Sequence, residues 1–212
     1  MFKADLHIHS EYSMDCKTTL AQIIQTCQKK NINCIALADH GAIEGALKLK
    51  QIAPFYVIVA EEILTTNGEI MGLFLNELIP SGLSIQESIQ RIKKQGGLFC
   101  AQHPFDKFRP DALKSEVMNE IAGSIDLVET FNARTPLLRT SDQAKEFAVQ
   151  HHLPASAGSD AHTFQEIGNA YVEMPEFKNK DDFLAALSKG KVNGHRASLI
   201  SRMGGVWAKI NK

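Results

Sequence analysis

Phe2-Lys3-Ala4-Asp5-Leu6-His7-Ile8-His9-Ser10 is the stretch on which the reading of this chain turns. It has the length and apolar content of a buried strand, and it ends in two histidines separated by one residue. Residues two apart on a strand point to the same side, so His7 and His9 face one way together. A helical pattern follows over 18–30, opened by Thr18 or Thr19, then an apolar run over 32–38 and a second helical stretch over 42–53. The chain thus begins as β-then-α units, which assemble as parallel strands joined by right-handed crossovers.

Further along, runs over 55–64 and 69–75 read as strands joined through Thr65-Thr66-Asn67-Gly68, a hairpin turn. A helix over 84–95 has Glu87 three residues after Ser84 as its start signal and Gly96-Gly97 as its stop. A strand over 98–102 runs into His103-Pro104. Then come a helix over 110–121, a strand over 125–130, a helix over 136–151, strands over 153–159 and 169–174, and a helix over 180–189. The stretch 190–212 receives no assignment. These units are too few for an eightfold barrel of about 250 residues. The expectation is an α/β fold: a smaller, distorted, TIM-like barrel, mainly parallel, forming a single domain over residues 1–212.

Composition sets the broad class. The chain has 212 residues, 44% hydrophobic and 22% charged, with a net charge of -1, which is ordinary for a soluble globular protein and offers no global basic field for nucleic acid. Cys16, Cys27, Cys34 and Cys100 form no C-x-x-C pair and read as reduced, mostly buried thiols. The start lacks a signal-peptide pattern, and no apolar run reaches the roughly 20 residues of a membrane span, so the expected location is cytoplasmic, with no membrane partner.

In a barrel of this kind, functional groups sit at the carboxyl ends of strands, and metal-type residues do cluster where the strands stop. The first strand delivers His7 and His9, the second ends in Ala38-Asp39-His40-Gly41, and the third contains Glu61-Glu62. A fourth site is Gln102-His103-Pro104, and a late strand delivers Ser159-Asp160-Ala161-His162. A single H-x-H is a weak signal; two such pairs with single histidines at other strand ends are a strong one, since imidazoles two apart converge on one ion without special backbone. His151 and His152, by contrast, read as helix-end residues.

Those strings, in that order, resemble the successive motifs of the polymerase-and-histidinol-phosphatase (PHP) family, over residues 1 to about 175. The resemblance implies a distorted barrel of roughly seven βα units, two or three bound divalent ions, and hydrolysis of phosphate mono- or diesters by a metal-activated hydroxide positioned by Asp160 and Glu62. Carried over residue by residue, it implies the ligands His7, His9, Asp15, His40, Glu62, His103, Asp160 and His162. The resemblance also implies Glu62 rather than Glu61 as the bridging acid, because the family's usual pattern has Glu directly before a β-branched or aliphatic residue in this strand; alternation then sends Glu61 to the opposite face. Two departures stand out: Ala38 replaces a frequent Thr or Ser, and Glu69 stands where several relatives have histidine.

A mixed histidine and carboxylate shell suits Zn, Mn or Fe. Arg134, Asn132, His195 and Arg196 are the expected substrate contacts, with Lys107 and Arg109 as lesser candidates read chiefly as solvated loop. The implied substrate is a small phosphate ester, a nucleotide or a short oligonucleotide. Alternatives are a histidinol-phosphatase-like monoesterase, a non-catalytic metal-binding module, and an amidohydrolase of similar barrel shape. Oligomeric state is left open.

Overall fold

A computed structural model describes residues 1–197 of the chain. Nine strands make one sheet: β1 (Phe2–Ile8), β2 (Cys34–His40), β3 (Tyr56–Thr65), β4 (Gly68–Leu73), β5 (Leu98–Ala101), β6 (Leu127–Asn132), β7 (Ala155–Gly158), β8 (Ala170–Met174) and β9 (Lys191–Gly194). Their spatial order is β7-β6-β5-β4-β3-β2-β1-β8-β9. Six helices cover it: α1 (Leu20–Lys30), α2 (Glu44–Ile52), α3 (Ile85–Lys94), α4 (Ser115–Ile121), α5 (Leu138–Gln150) and α6 (Lys180–Leu187).

The sheet nearly closes on itself. Past the end of β7 the chain returns to β1: Asp160 N donates to His7 O at 2.7 Å, His9 N donates to Ala161 O at 3.0 Å, and Ile8 bridges Ala161 in parallel. The first half of β1 instead pairs with β8, from Phe2–Met174 to Ala4–Val172. One strand edge is therefore shared between two neighbours, and the seven strands β1 to β7 form the ring expected of a distorted TIM-like barrel.

The expectation of a mainly parallel sheet needs correction. The β3–β4 hairpin sets β4 antiparallel to both neighbours, and β8 and β9 are antiparallel as well. Two residues of turn cannot reverse a strand into parallel pairing; only a crossover can. The helix expected over 110–121 is confined to Ser115–Ile121, because the preceding residues bond outward: Glu69 N donates to Asp111 O and Phe105 N to Leu113 O. Part of the unassigned end forms β9, and residues 198–212 of it lie outside the described residues.

Helix starts follow their sequence signals. Thr19 caps α1 with a full capping box through Gln22, and Ser84 caps α3 by accepting from Glu87 N. Two apolar layers result. Ile35, Leu37, Val59, Ile63 and Phe99 face Ile23, Leu49, Ile92 and Phe147 from the helices. Ala4, Ala36, Ala38, Ala60, Cys100 and Ala157 share the second layer with Leu6, Ile58, Met71 and Leu127, and Phe177, Phe183 and Leu187 close it. All four cysteines are free and buried. No helix of the described residues is long and apolar enough to cross a membrane.

Gly158 marks the tightest point of closure. A Cβ there would meet His7 Cβ at 2.2 Å and Glu129 Oε1 at 2.7 Å. Both contacts are to buried, packed groups, so G158A is expected to destabilise the fold by about 3 kcal/mol, near the upper end for overpacking. Urea unfolding measures it; a loss below about 1 kcal/mol would mean that β7 and β1 separate without cost.

Candidate metal centre

A bulge in β1 aims its two histidines. Asp5 pairs with Ile35 and Ile8 with Leu37, so three steps on β1 match two on β2. The extra residue lets Ala4 and Leu6 line the interior while His7 and His9 also turn to the mouth, a usual effect of bulges. His40 follows Ala38 on β2, and Glu62 follows Ala60 on β3, in register with His40. His103 and Asp160 lie just past β5 and β7, each at positive φ (29° and 53°). Such backbone is uncommon outside glycine and collects at functional sites.

The eight residues expected as ligands all meet here. Glu62 Oε1 lies 2.8 Å from His103 Nε2, and Oε2 lies 3.3 Å from both His7 Nε2 and His9 Nε2 and 3.5 Å from His40 Nε2. Asp15 Oδ2 lies 3.1 Å from His162 Nε2 and 3.4 Å from His40 Nε2. Asp160 Oδ1 lies 3.3 Å from His9 Nε2. Four overlapping groups bring their donor atoms within 4.8 Å of one another: His9, Asp15, His40 and His162; His7, Glu62 and His103; His7, His9 and Asp160; and His40, Glu62 and Glu69. Shared His7, His9, His40 and Glu62 link them into one centre.

The donor set fits divalent ions on a second ground. Both ring nitrogens of His9, Nδ1 of His103 and Oδ1 of Asp160 are buried without a hydrogen-bond partner. Buried polar atoms are seldom left so, because desolvation without a partner is costly.

Charges are strongly coupled. Burial alone would raise Glu62, but His40 and His7 hold it well below the usual carboxylate range. Burial likewise opposes Asp160, and Arg109 and His7 outweigh it to keep that acid ionised. Burial works against protonation of His40, yet Glu62 and Asp15 push it up to about 9. His7 rises too, through Glu129, Asp160 and Glu62. His9 goes the other way, down to about 3, through burial and the neighbouring His162.

Glu61 lies on the opposite face, as alternation requires; it accepts from Ile79 N at 2.9 Å, and burial raises it to about 8. Asp5 and Asp39 share that side. Asp5 accepts from Ser159 N, Ser159 Oγ and Gly168 N, and Asp39 from Ser10 N and Oγ, fixing the loops that carry the expected ligands.

Three residues were missed or misjudged. Glu129 accepts from His7 Nδ1 at 3.1 Å and from His103 N at 2.7 Å, so it orients two of the histidines; the signal was an acid inside the apolar run Leu127-Val128-Glu129. Glu69, left open from sequence, stands 3.5 Å from His40 Nδ1. Arg109, read chiefly as solvated loop, reaches Asp160.

The expected substrate contacts divide. Asn132 is buried and donates to Glu129 and Asp160, so it braces the acids rather than lining the mouth. Arg134 pairs with Glu166 at 3.3 Å, whose other oxygen accepts from His162 N. His195 is exposed at the end of β9, its N–H given to Asn169 O. Arg196 donates to Pro136 O and Ser141 Oγ. Neither of these last two side chains joins the histidine groups, because antiparallel β9 leads the chain toward α5. His151 and His152 close α5, as expected.

Comparison with known proteins agrees with this geometry. The family model described as "PHP domain" matches residues 5–68, and that described as "PHP-associated" matches residues 139–192. An uncharacterised protein of Methanocaldococcus jannaschii is 37% identical over 177 residues, covering 82% of this chain and 71% of its own length. Among solved structures, a two-domain Bacteroides vulgatus protein containing a predicted PHP-like metal-dependent phosphoesterase superposes with TM-score 0.69 at 19% identity. That match covers 92% of this chain and 65% of the other. The lesion-specific endonuclease EndoQ of Pyrococcus furiosus gives TM-score 0.66 at 17% identity, over 90% and 57% of the two chains. With eight motif residues gathered at one mouth and these relatives alongside, the chain belongs to the PHP domain family.

Proposed function

We propose that the chain is a metal-dependent phosphoesterase, one domain over its whole length, whose substrate is a small phosphate ester, a nucleotide or a short oligonucleotide. Two or three divalent ions are held by His7, His9, Asp15, His40, Glu62, His103, Asp160 and His162, with Glu69 as a further oxygen donor. The observation that carries this reading is the convergence of those side chains with unpartnered donor atoms of His9, His103 and Asp160. The phosphoesterase and endonuclease that share the fold support phosphate-ester hydrolysis as the chemistry.

Bound ions of this kind acidify a water and clamp phosphate oxygens for in-line displacement. The chain's residues set the geometry for that. Glu129 accepts a hydrogen bond from His7 Nδ1–H, leaving Nε2 turned to Glu62, and Asp160 O accepts one from His162 Nδ1–H, leaving Nε2 toward Asp15. Fixed tautomers of this sort orient histidine ligands. The group around His9 and His162 is nitrogen-rich and suits Zn or Fe, whereas Glu62 and Glu69 beside His40 offer harder oxygen, suited to Mn.

H9A and D160A are expected to lose bound metal and at least about 100-fold of the turnover of p-nitrophenyl phosphate or its bis ester, with circular dichroism unchanged. Wild-type metal content in either variant would refute the site. E129Q should weaken metal affinity about 10- to 100-fold by freeing His7.

Glu61 provides the contrast to Glu62. E62Q should abolish metal uptake, while E61Q should leave it intact. Because Glu61 rises to about 8 in the fold, its stabilising contribution is full below its unfolded value and is lost as pH climbs through 8. E61Q should therefore flatten the stability profile in that window, read by thermal melts from pH 5 to 9. An unchanged profile would place the titration elsewhere.

Metal uptake should release protons at neutral pH, since His7 and His40 are raised and ligation needs neutral imidazole. Affinity should then climb with pH toward about 9. Calorimetric titration in two buffers of different ionisation enthalpy reads the release, and a value of zero would contradict the imidazolium pairs.

A further inference from the structure

The loop between β1 and α1 carries Asp15, and two small side chains beside that acid tie it to distant parts of the fold. Ser13 Oγ donates to Asp15 Oδ1 at 2.8 Å and accepts from His40 N at 3.4 Å. Cys16 Sγ donates to His162 O at 3.2 Å and accepts from Thr18 N at 3.4 Å. The loop also closes on itself, with Ser13 N donating to Ser10 O and Glu11 N to Thr18 O, both at 2.9 Å. Ser13 and Cys16 are fully buried while Met14 between them is exposed. That inverts the usual partition of polar and apolar side chains, and the buried hydroxyl is held in place by the bonds it makes.

These bonds select atoms. With Oδ1 engaged by Ser13, Asp15 turns Oδ2 to the imidazoles, 3.1 Å from His162 Nε2 and 3.4 Å from His40 Nε2. The same hydroxyl holds the backbone of His40 and the thiol holds that of His162, so one loop orients three donors brought from three places in the chain. The other donors are braced from elsewhere. Glu129 accepts from His7 Nδ1 and His103 N, and Arg109 and Asn132 donate to Asp160 Oδ2. Of the four donor groups, the one that contains Asp15 shares only His9 and His40 with the rest. It also lies nearer to solvent than the groups built on His7: the side chains of His40 and His162 are 17% and 7% exposed, against 0% for His7, Glu62 and His103.

From this juxtaposition we infer that the β1–α1 loop is a clip for one ion of the centre, with Ser13 its positioning residue, so that the ion at Asp15, His40 and His162 loads and leaves separately from those held through His7, Glu62, His103 and Asp160. The inference rests on the metal-centre reading and adds to it an order of loading: the outer ion depends on the loop, and the inner ones depend on Glu129 and the braces of Asp160. Outer partners of metal ligands commonly act in this way, by fixing which ligand atom faces the ion.

Calorimetric titration of the metal-free protein with Zn, paired with a count of ions per chain after desalting, tests the clip without any use of turnover. S13A should weaken one binding step about 10- to 100-fold, leave the other steps as in the wild type, and retain one ion fewer per chain. S13T, which keeps the hydroxyl, should restore the full count. The effects of S13A and E129Q should multiply in the double variant, since they fall on different ions. Should S13A unfold, C16A and C16S make the same comparison from the other end of the clip, with the ion lost from C16A and kept by C16S, which retains an O–H donor. Unchanged loading in S13A, or an equal weakening of every step, would overturn the clip alone. Wild-type protein that binds no ion would refute the metal centre and the clip together. The expected loading pattern in a protein that cleaves no phosphate ester would refute only the phosphoesterase reading and leave the clip standing.

Discussion

Glu62 is a fully buried carboxylate, and everything at the barrel mouth is arranged around it. An ionised acid without solvent is costly unless charges and donors of opposite sense surround it. Here the imidazoles of His7, His9, His40 and His103 stand within 3.5 Å of its oxygens. Each of those rings is buried or nearly so, and several need an acid of their own: Glu129 for His7, Asp15 for His40, Asp160 beside His9. The centre is a closed electrostatic set, in which removing one member leaves another charge stranded. Beneath it the interior is wholly apolar among the described residues, alanines interleaved with Leu6, Ile58, Met71 and Leu127, so no charge from below competes with the imidazoles for the acid.

Much of this was legible in the sequence because it depends on local rules. Period-two alternation placed His7 with His9 and separated Glu61 from Glu62, and capping signals at Thr19 and Ser84 opened the helices. The resemblance of the motifs named eight residues that the fold does gather at one mouth, including Asp15, which sits in a loop and carries no periodic signal of its own. The bulge in β1 was invisible, since it arises from pairing with β2 and leaves no mark on β1 alone. So was the antiparallel setting of β4 against β5, which follows from the preceding hairpin and not from any residue of β5.

The misjudged residues share a cause. Arg109 and Asn132 differ from expectation because each acts on an acid distant in the chain: Arg109 from the β5–α4 loop to Asp160, and Asn132 from β6 to the same acid at the end of the neighbouring β7. Long-range pairings of this type carry no spacing in the chain. Arg134 sits in the expected neighbourhood but is engaged by Glu166, so its charge serves the loop holding His162. A basic residue near a strand end is a candidate anion contact only until its own counter-ion is found.

Asp5 and Asp39 have a consequence for how the mouth behaves through a working cycle. They tie Ser159 and Ser10, and hence the backbone beside Asp160 and His9, through bonds that use none of the coordinating atoms. Loading and unloading of ions then becomes a matter of side-chain charge on a frame that stays put. In a centre framed in this way the backbone is held by bonds that spare the clustered histidines, so their placement does not wait on an ion to fold the loops.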